Sequence, residues 1–202
     1  MNKIDYQREM EKIIAKNKAE KIKPSLLLHA CCAPCASAAI ERVKEFFELT
    51  LYFYNPNIDG RAEYDKRAEE LQRLCAAFGT DCVIAEFNPS EFYSAVNGYE
   101  NCPEGGDRCS VCFRLRLSGA AEFAKKHGYD YFTTTLTLSP LKNAELINET
   151  GKSVAEEYGV AFLPSNFKKK GGYLRSIELS REFDLYRQNY CGCAFSKNKN
   201  PL

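Results

Sequence analysis

Four of the ten cysteines in this 202-residue chain form two tight pairs. Cys31 and Cys32 are adjacent, and Cys109 and Cys112 form a C-x-x-C pair. Adjacent cysteines do not easily close on each other, because the eight-membered ring strains the peptide bond between them. Their thiols therefore stay available to a metal, and four thiolates are the ligand set of a cubane iron–sulfur cluster. The two pairs predict a redox metal site.

Zinc remains an alternative, since four thiolates satisfy it equally well. A closed structural zinc site usually holds a small loop-rich module, whereas these cysteines are expected at the mouth of a large sheet, and this favours the cluster. A further cysteine, Cys35, stands near the start of a predicted helix, where the pKa of a thiol is lowered. We interpret Cys35 as a ligand of a second metal or as a group that faces substrate.

A third cysteine element, Cys191-Gly192-Cys193, lies near the C-terminus. A C-x-C pair forms a strained disulfide that is easily reduced, which is typical of catalytic bridges. Two free thiols in a frayed terminus are the equally weighted alternative. Cys75 and Cys82 fall on predicted apolar faces and are expected in the core, whereas Cys102 precedes a proline and receives no role.

The elements that must position these cysteines alternate along the chain. Strands are predicted at 25–30, 49–54, 82–87, 131–135 and 160–163, and helices at 36–47, 62–78, 114–127 and 144–158. This alternation predicts an α/β fold with a parallel sheet and helices on both faces. Ligands of such sheets bind at the carboxyl ends of the strands, and Cys31 and Cys32 directly follow the first one. We therefore expect the metal site at that edge.

The two ends of the chain differ from this pattern. Residues 1–23 are rich in charge and are predicted to form an exposed helical arm, followed by a single domain at 24–202. From about residue 164 the chain becomes a polar extension with eight basic and three acidic residues. Within it, 167–175 interleaves cations with aromatics, which favours contact with RNA over a merely solvated face.

Composition excludes several classes of protein. A net charge of +1 gives no sign of a strongly basic nucleic-acid binder, and no apolar run approaches the length of a membrane span. The polar N-terminus lacks a secretory signal, so we expect a cytoplasmic protein in which many cysteines mean metal or redox chemistry. No phosphate-binding glycine motif occurs, and no nucleotide cofactor is expected. His29 is interpreted as a core histidine with satisfied hydrogen bonds rather than a proton donor.

Five motifs occur in a fixed order along the chain: LHACCAPC (28–35), YNPNI (54–58), RCSVCFRLR (108–116), TTTL followed by SP (133–140) and YCGC (190–193). Together they resemble the cobalamin-independent epoxyqueuosine reductases over about residues 24–196. The resemblance implies a Rossmann-like core and a two-electron reduction of epoxyqueuosine to queuosine at the wobble position of tRNA.

The same resemblance implies the cofactors and partners. It places a 4Fe-4S cluster on Cys31, Cys32, Cys109 and Cys112, with an additional mononuclear iron nearby for which Cys35 is the candidate ligand. The Cys191–Cys193 pair is then a redox-active disulfide, and the partners are tRNA that contains epoxyqueuosine and an electron donor.

Three other functions stay open at this point. An iron–sulfur tRNA sulfurtransferase needs ATP, but its phosphate loop is replaced here by Cys-Cys-Ala-Pro-Cys. An iron–sulfur electron-transfer module explains the cysteines but not the basic aromatic segment. A zinc-stabilised RNA-binding domain predicts a colourless protein, whereas a cluster enzyme is brown when it is purified without air.

Overall fold

Five parallel strands form one sheet at the centre of the protein. The computed structural model describes residues 4–197. The strands are β1 (Ser25–His29), β2 (Glu48–Phe53), β3 (Asp81–Ile84), β4 (Tyr131–Thr134) and β5 (Ala161–Phe162), and their order in the sheet is β3-β2-β1-β4-β5. The central strand β1 pairs with β2 on one side and β4 on the other, with Leu28 opposite Leu51 and Thr133. The predicted parallel sheet is confirmed.

Helices cover both faces of this sheet, as predicted for a Rossmann-like α/β fold. They are α1 (Tyr6–Glu20), α2 (Ala33–Val43), α3 (Arg61–Phe78), α4 (Pro89–Ala95), α5 (Asp107–Lys126), α6 (Ala144–Tyr158), α7 (Gly172–Glu182) and α8 (Ala194–Lys197), with a short 3-10 turn at Thr135–Leu138. Among the described residues, no helix is both long and apolar enough to cross a membrane.

The strands build a separate core on each face because their side chains alternate. Leu26 and Leu28 of β1 join the core under α2, α3 and α7, whereas Leu27 joins the core under α5 and α6. All three leucines are fully buried. The apolar run of β1 is therefore what a strand covered on both faces requires.

The helix predicted at 114–127 begins seven residues earlier, at Asp107. Asp107 occupies the first turn, where a carboxylate favours the positive end of the helix dipole. Two arginines of this helix, Arg108 and Arg116, are buried and interrupt the apolar pattern by which sequence marks a helix. The early start puts Cys109 and Cys112 on the first turns of α5, a placement that the predicted boundary missed.

Three helices were not predicted. They are α4, which falls in a stretch for which no helix or strand was predicted, and α7 and α8, which fall in the expected polar extension. Within residues 1–23, Tyr6–Glu20 forms the helix α1, and one face of it packs against the domain. Met10 is fully buried in the core under α2 and Gln7 accepts a hydrogen bond from Arg42. The apolar residues of α1 are few, but they face the domain. The boundary at residue 24 stays a prediction.

Gly119 sets how closely α5 approaches the end of β2. A Cβ at this position would overlap the ring of Tyr54, which stacks on Tyr52 and donates its hydroxyl to Glu91. Because that ring is held from two sides, we expect Gly119→Ala to lower the free energy of unfolding by about 1–3 kcal/mol despite the better helix propensity of alanine. Urea unfolding measures the change, with Ser118→Ala as the control. Unchanged stability in Gly119→Ala would contradict this tight contact.

Candidate metal centre

The candidate site lies where the chain reverses its direction across the sheet. After β3 at one edge, the chain returns to place β4 on the other side of β1, so the carboxyl ends of β1 and β4 form a topological switch point. A cavity of about 310 Å³ opens at this point. All seven predicted site cysteines line it: Cys31, Cys32, Cys35, Cys109, Cys112, Cys191 and Cys193.

Three of these sulfurs form a compact group. The Sγ atoms of Cys31, Cys32 and Cys35 all lie within 4.8 Å of one another, and those of Cys31 and Cys32 are 3.7 Å apart. Cys31 follows β1, Cys32 is the extended residue that precedes α2, and Cys35 lies in the first turn of that helix. The strand-to-helix turn therefore delivers three thiols to one point, a geometry suited to a metal.

The three thiols of this group differ in their pKa values. Hydrogen bonds from the thiols of Cys32 and Cys35 hold the pKa of Cys31 well below its usual value, and the positive charges of Arg116 and Lys142 act in the same direction. The same contact with Cys31 raises the pKa of Cys32 to about 12 and also raises the pKa of Cys35. Cys31 is therefore the thiol of the group that ionises most easily.

Cys109 and Cys112 approach the cavity from α5. The backbone N–H of Gly105 donates to Sγ of Cys109 over 3.2 Å, while Cys112 is 7% exposed and burial raises its pKa to about 12. Neither joins the compact group of Cys31, Cys32 and Cys35. The structure brings the two predicted pairs to one cavity. That both pairs bind a single cluster stays a prediction.

Cys191 and Cys193 reach the cavity from the segment between α7 and α8. Both are half-buried free thiols, and Cys193 donates to Oγ of Ser196 over 3.4 Å. They therefore face the same space as the other cysteines. Their pairing as a disulfide stays a prediction.

Three of the four arginines that line the cavity are almost completely buried: Arg67, Arg108 and Arg116 are 2%, 3% and 1% exposed. Arg67 pairs with Glu63, whereas Arg108 donates to three backbone carbonyls. Arg116 donates from Nη2 to Asn55, and its Nε has no hydrogen-bond partner in the described chain. A buried cation requires a nearby negative charge. The cavity therefore suits an anionic group such as a thiolate-bound metal cluster.

Two arginines flank the C-x-x-C pair in the sequence, and only Arg108 of the two lines the cavity. Arg114 is half-exposed and pairs with Glu157 on the surface. The residue that faces the cavity is Arg116, seven positions after Cys109 and four after Cys112. Residues at i, i+3 and i+7 share a helix face. The sequence would therefore have indicated Arg116 if the start of α5 had been predicted at Asp107.

Lys142 is a second cavity cation that the sequence did not single out. It follows β4 and the 3-10 turn in the chain and lines the cavity. Burial lowers its pKa, but electrostatic interaction with the cavity cysteines Cys191, Cys31 and Cys35 outweighs that effect and raises the pKa above its usual range. Lys142 therefore keeps its positive charge next to the cysteines.

His29 is a structural residue, as predicted. It is fully buried, its Nε2–H donates to the carbonyl of Tyr54 over 3.0 Å and its Nδ1 accepts from the hydroxyl of Thr134 over 2.8 Å. Burial lowers its pKa to about 3, so the ring is neutral. His29 ties β1 to its two neighbours at the edge that carries the site. The predicted core positions of Cys75 and Cys82 are likewise confirmed.

The basic segment 167–175 makes contacts within the protein. The ammonium of Lys168 donates to the carbonyl of Lys142 over 2.8 Å. The other cations of the segment pair with carboxylates: Lys169 with Asp5 at 3.2 Å, Lys170 with Glu11 at 2.5 Å and Arg175 with Glu41 at 2.7 Å. Two of these pairs hold α1 against the domain. Contact between this segment and RNA stays a prediction.

Comparisons with known proteins agree with one another. The family model described as "Epoxyqueuosine reductase QueH" matches residues 26–199. A relative of that name from Streptococcus pyogenes serotype M1 is 42% identical over 200 residues, which cover 96% of this chain and 78% of the relative. The one from Thermotoga maritima is 40% identical over 175 residues, which cover 85% and 90%. Among solved structures, the U34-tRNA thiolase NcsA from Methanococcus maripaludis is 12% identical, and the match covers 96% of this chain and 85% of that one. Its TM-score is 0.44, and a likeness of this level supports no inference.

Proposed function

This chain belongs to the epoxyqueuosine reductase QueH family, and from that membership we propose that it reduces epoxyqueuosine in tRNA to queuosine. The reaction is a two-electron deoxygenation at the wobble nucleotide. The observation that supports the proposal most strongly is the convergence of three distant cysteine motifs on one cavity at the switch point of the sheet.

We propose that Cys31, Cys32, Cys109 and Cys112 hold a 4Fe-4S cluster and that Cys35 contributes to a nearby mononuclear iron. The donor set fits, since soft thiolates select iron–sulfur clusters and the buried guanidinium of Arg116 calls for an anionic neighbour. When bound, the cluster would supply electrons at low potential and the additional iron a Lewis acid for the epoxide oxygen.

Other side chains of the cavity would bind the base and stabilise the charge that develops on the departing oxygen. Asn57 lines the cavity, is almost completely buried, and its Oδ1 has no hydrogen-bond partner in the described chain, so it would accept an N–H of the modified base. The ammonium of Lys142 would stabilise negative charge on the departing oxygen. These groups orient the substrate while the protein wall limits access of water.

The Cys191–Cys193 thiol pair would balance the reaction. Closing the two thiols to a disulfide releases two electrons and two protons. The epoxide takes up both, its two C–O bonds break, a carbon–carbon double bond forms and the oxygen leaves as water. A cellular dithiol or other electron donor would then reduce the disulfide, and no nucleotide cofactor enters this scheme.

An anaerobic assay with tRNA that contains epoxyqueuosine and a strong reductant tests the proposed function. Nucleoside mass spectrometry should detect queuosine, and the protein should be brown and contain iron. A colourless zinc protein that binds tRNA without converting it would favour the RNA-binding alternative. A brown protein that passes electrons to other proteins but leaves epoxyqueuosine intact would favour the electron-transfer module.

Replacement of the last cysteine separates the thiol pair from the cluster. We expect Cys193→Ser to keep its iron and its visible absorbance but to slow multiple turnover by at least about tenfold, because no disulfide can close. Steady-state rates of tRNA conversion are compared with those of Cys102→Ser, whose cysteine lies outside the cavity lining. An unchanged steady-state rate in Cys193→Ser would eliminate the thiol-pair step.

Thr135 holds Cys31 at two atoms. Its hydroxyl accepts the Cys31 N–H over 3.1 Å and donates to Cys31 Sγ over 3.3 Å. Hydrogen bonds to cluster sulfurs raise the reduction potential, so Thr135→Val should lower the midpoint on the order of tens of millivolts. A redox titration followed by electron paramagnetic resonance measures the shift. Thr135→Ser retains the hydroxyl and should keep the midpoint, and a valine variant with the wild-type midpoint would refute the tuning.

A further inference from the structure

The chain that carries the C-x-C pair, residues 183–193, forms neither helix nor strand. A segment without its own hydrogen-bonded ladder needs other partners for its backbone if it is to hold two thiols at a fixed place. We propose that a row of charged side chains on α3 provides these partners, and that Arg67 is the positioning residue that joins the row to Cys191.

We call Glu63, Arg67, Glu70 and Arg73 the α3 row. Their spacings of four, three and three residues put all four on one face of the helix. Adjacent members alternate in charge, and Arg67 pairs with Glu63 while Arg73 pairs with Glu70. The charges of the row therefore sum to zero. Its remaining hydrogen-bonding atoms are available to residues 183–193.

The C-terminal half of the row binds the beginning of the segment. Arg73 donates to the carbonyls of Phe183 and Asp184 over 2.8 and 2.9 Å. Glu70 accepts the backbone N–H of Tyr186 over 3.0 Å. Three backbone groups just after α7 are thus satisfied by side chains of α3, which fixes the path of the chain as it leaves α7.

The N-terminal half of the row binds the thiol-bearing end. Glu63 accepts from the hydroxyl of Tyr186 over 3.3 Å and from Nε of Arg67 over 2.7 Å. Arg67 in turn donates from Nη1 to the carbonyl of Cys191 over 3.2 Å, and its guanidinium lies 5.2 Å from the centre of the Tyr190 ring. A continuous chain of contacts therefore runs from α3 to the first cysteine of the pair.

The middle residue of the C-x-C pair passes close to this guanidinium. Gly192 has φ +116°, and a Cβ there would lie 3.1 Å from Nη1 of Arg67 and 3.2 Å from Cγ1 of Ile58. The carbonyl of Gly192 accepts the N–H of Asp59 over 2.8 Å. Only a glycine adopts this backbone angle easily and fits the space beside Arg67. The backbone of Gly192 therefore packs directly against the guanidinium.

Arg67 also belongs to the cavity wall, and its positive charge lies near the thiol of Cys32. It therefore connects the C-terminal thiol pair to the cysteine group after β1. If the proposed function is correct, this connection delivers the thiol pair to the reacting base. The positioning itself does not depend on that function.

Thiol alkylation of the full chain, purified without air and with its metal retained, tests the inference. In Arg67→Lys, which cannot hold Glu63 and Cys191 together, the alkylation rates of Cys191 and Cys193 should rise about tenfold, the factor expected for one lost charged hydrogen bond. The rate at Cys75 should stay unchanged. Arg61→Lys is the matched control, because Arg61 lies on the same helix but pairs with exposed Asp65 and lies over the ring of Phe87, away from the C-x-C pair.

Glu63→Gln provides a second, isosteric variant in case Arg67→Lys does not fold. It should raise the same two rates several-fold, since Arg67 loses its counter-charge. In both variants kcat should fall while KM for tRNA is unchanged; these two constants depend on the proposed function, whereas the alkylation rates do not. Wild-type alkylation rates in both variants, or an equal rise at Cys75, would overturn the positioning role.

Discussion

Replacement of Cys112 by alanine is expected to remove iron and activity together. Cys112 is a buried thiol on the first turns of α5 and, as proposed, one of four cluster ligands drawn from distant parts of the chain. A cubane that loses one of its four thiolates is exposed to loss of iron. We expect turnover to fall at least about a thousandfold, measured with iron, sulfide and visible absorbance in the same preparation.

Cys82→Ala is the control for this experiment. Cys82 belongs to β3 and packs in the core under α3, outside the cavity lining. Its replacement should cost some stability but leave iron and turnover at wild-type values. If Cys112→Ala retained full iron content and activity, the proposed ligand set would be wrong, whatever the behaviour of the control.

Replacement of Arg116 by methionine is expected to act in opposite directions on the metal-free and metal-loaded protein. Arg108, Arg116 and Lys142 are among the cations that line the cavity, and when no metal is bound no anionic cluster balances their charge. Removing one buried cation should raise the free energy of unfolding of the metal-free chain by about 1–2 kcal/mol, since a desolvated charge is replaced by an apolar side chain.

The metal-loaded form of Arg116→Met should instead lose iron at least about tenfold faster in the presence of a chelator. An iron–sulfur cluster with four thiolates carries net negative charge, and Arg116 is the cation with an unpartnered nitrogen beside it. Urea unfolding of the metal-free chain and chelation kinetics of the loaded chain measure the two effects. A variant less stable without metal and equally retentive with it would show that Arg116 has only a structural role.

Sequence was most informative where one physical constraint dominates. The apolar run of β1 and the alternation of strands with amphipathic helices follow from burial on both faces, and the structure confirms them. The predicted start of α5 was seven residues too late because its buried arginines obscure the apolar period, and α7 was missed because that helix lies in a polar part of the chain. Exposed charge gave no sign that α1 is packed.

The candidate site also contains features that the sequence predicted and features that it did not. The cysteine motifs and the expected edge of the sheet were read from local spacing, and they do converge on one cavity. The partners that depend on tertiary contact were not predictable in this way. Lys142 and Arg67 lie in none of the five motifs, and the TTTL motif gives no sign that Thr135 forms hydrogen bonds with Cys31. Thr135 reaches Cys31 because the carboxyl ends of β1 and β4 lie side by side, whereas Arg67 reaches Cys191 from α3.

The cavity draws its cysteines from three stretches, 31–35, 109–112 and 191–193, that span almost the entire polypeptide. All five proposed iron ligands belong to the first two stretches, so synthesis of residues 31–112 supplies them before the thiol pair is made. A stop codon in place of Tyr190 would therefore leave the proposed iron ligands in the polypeptide but remove both sulfurs of the pair.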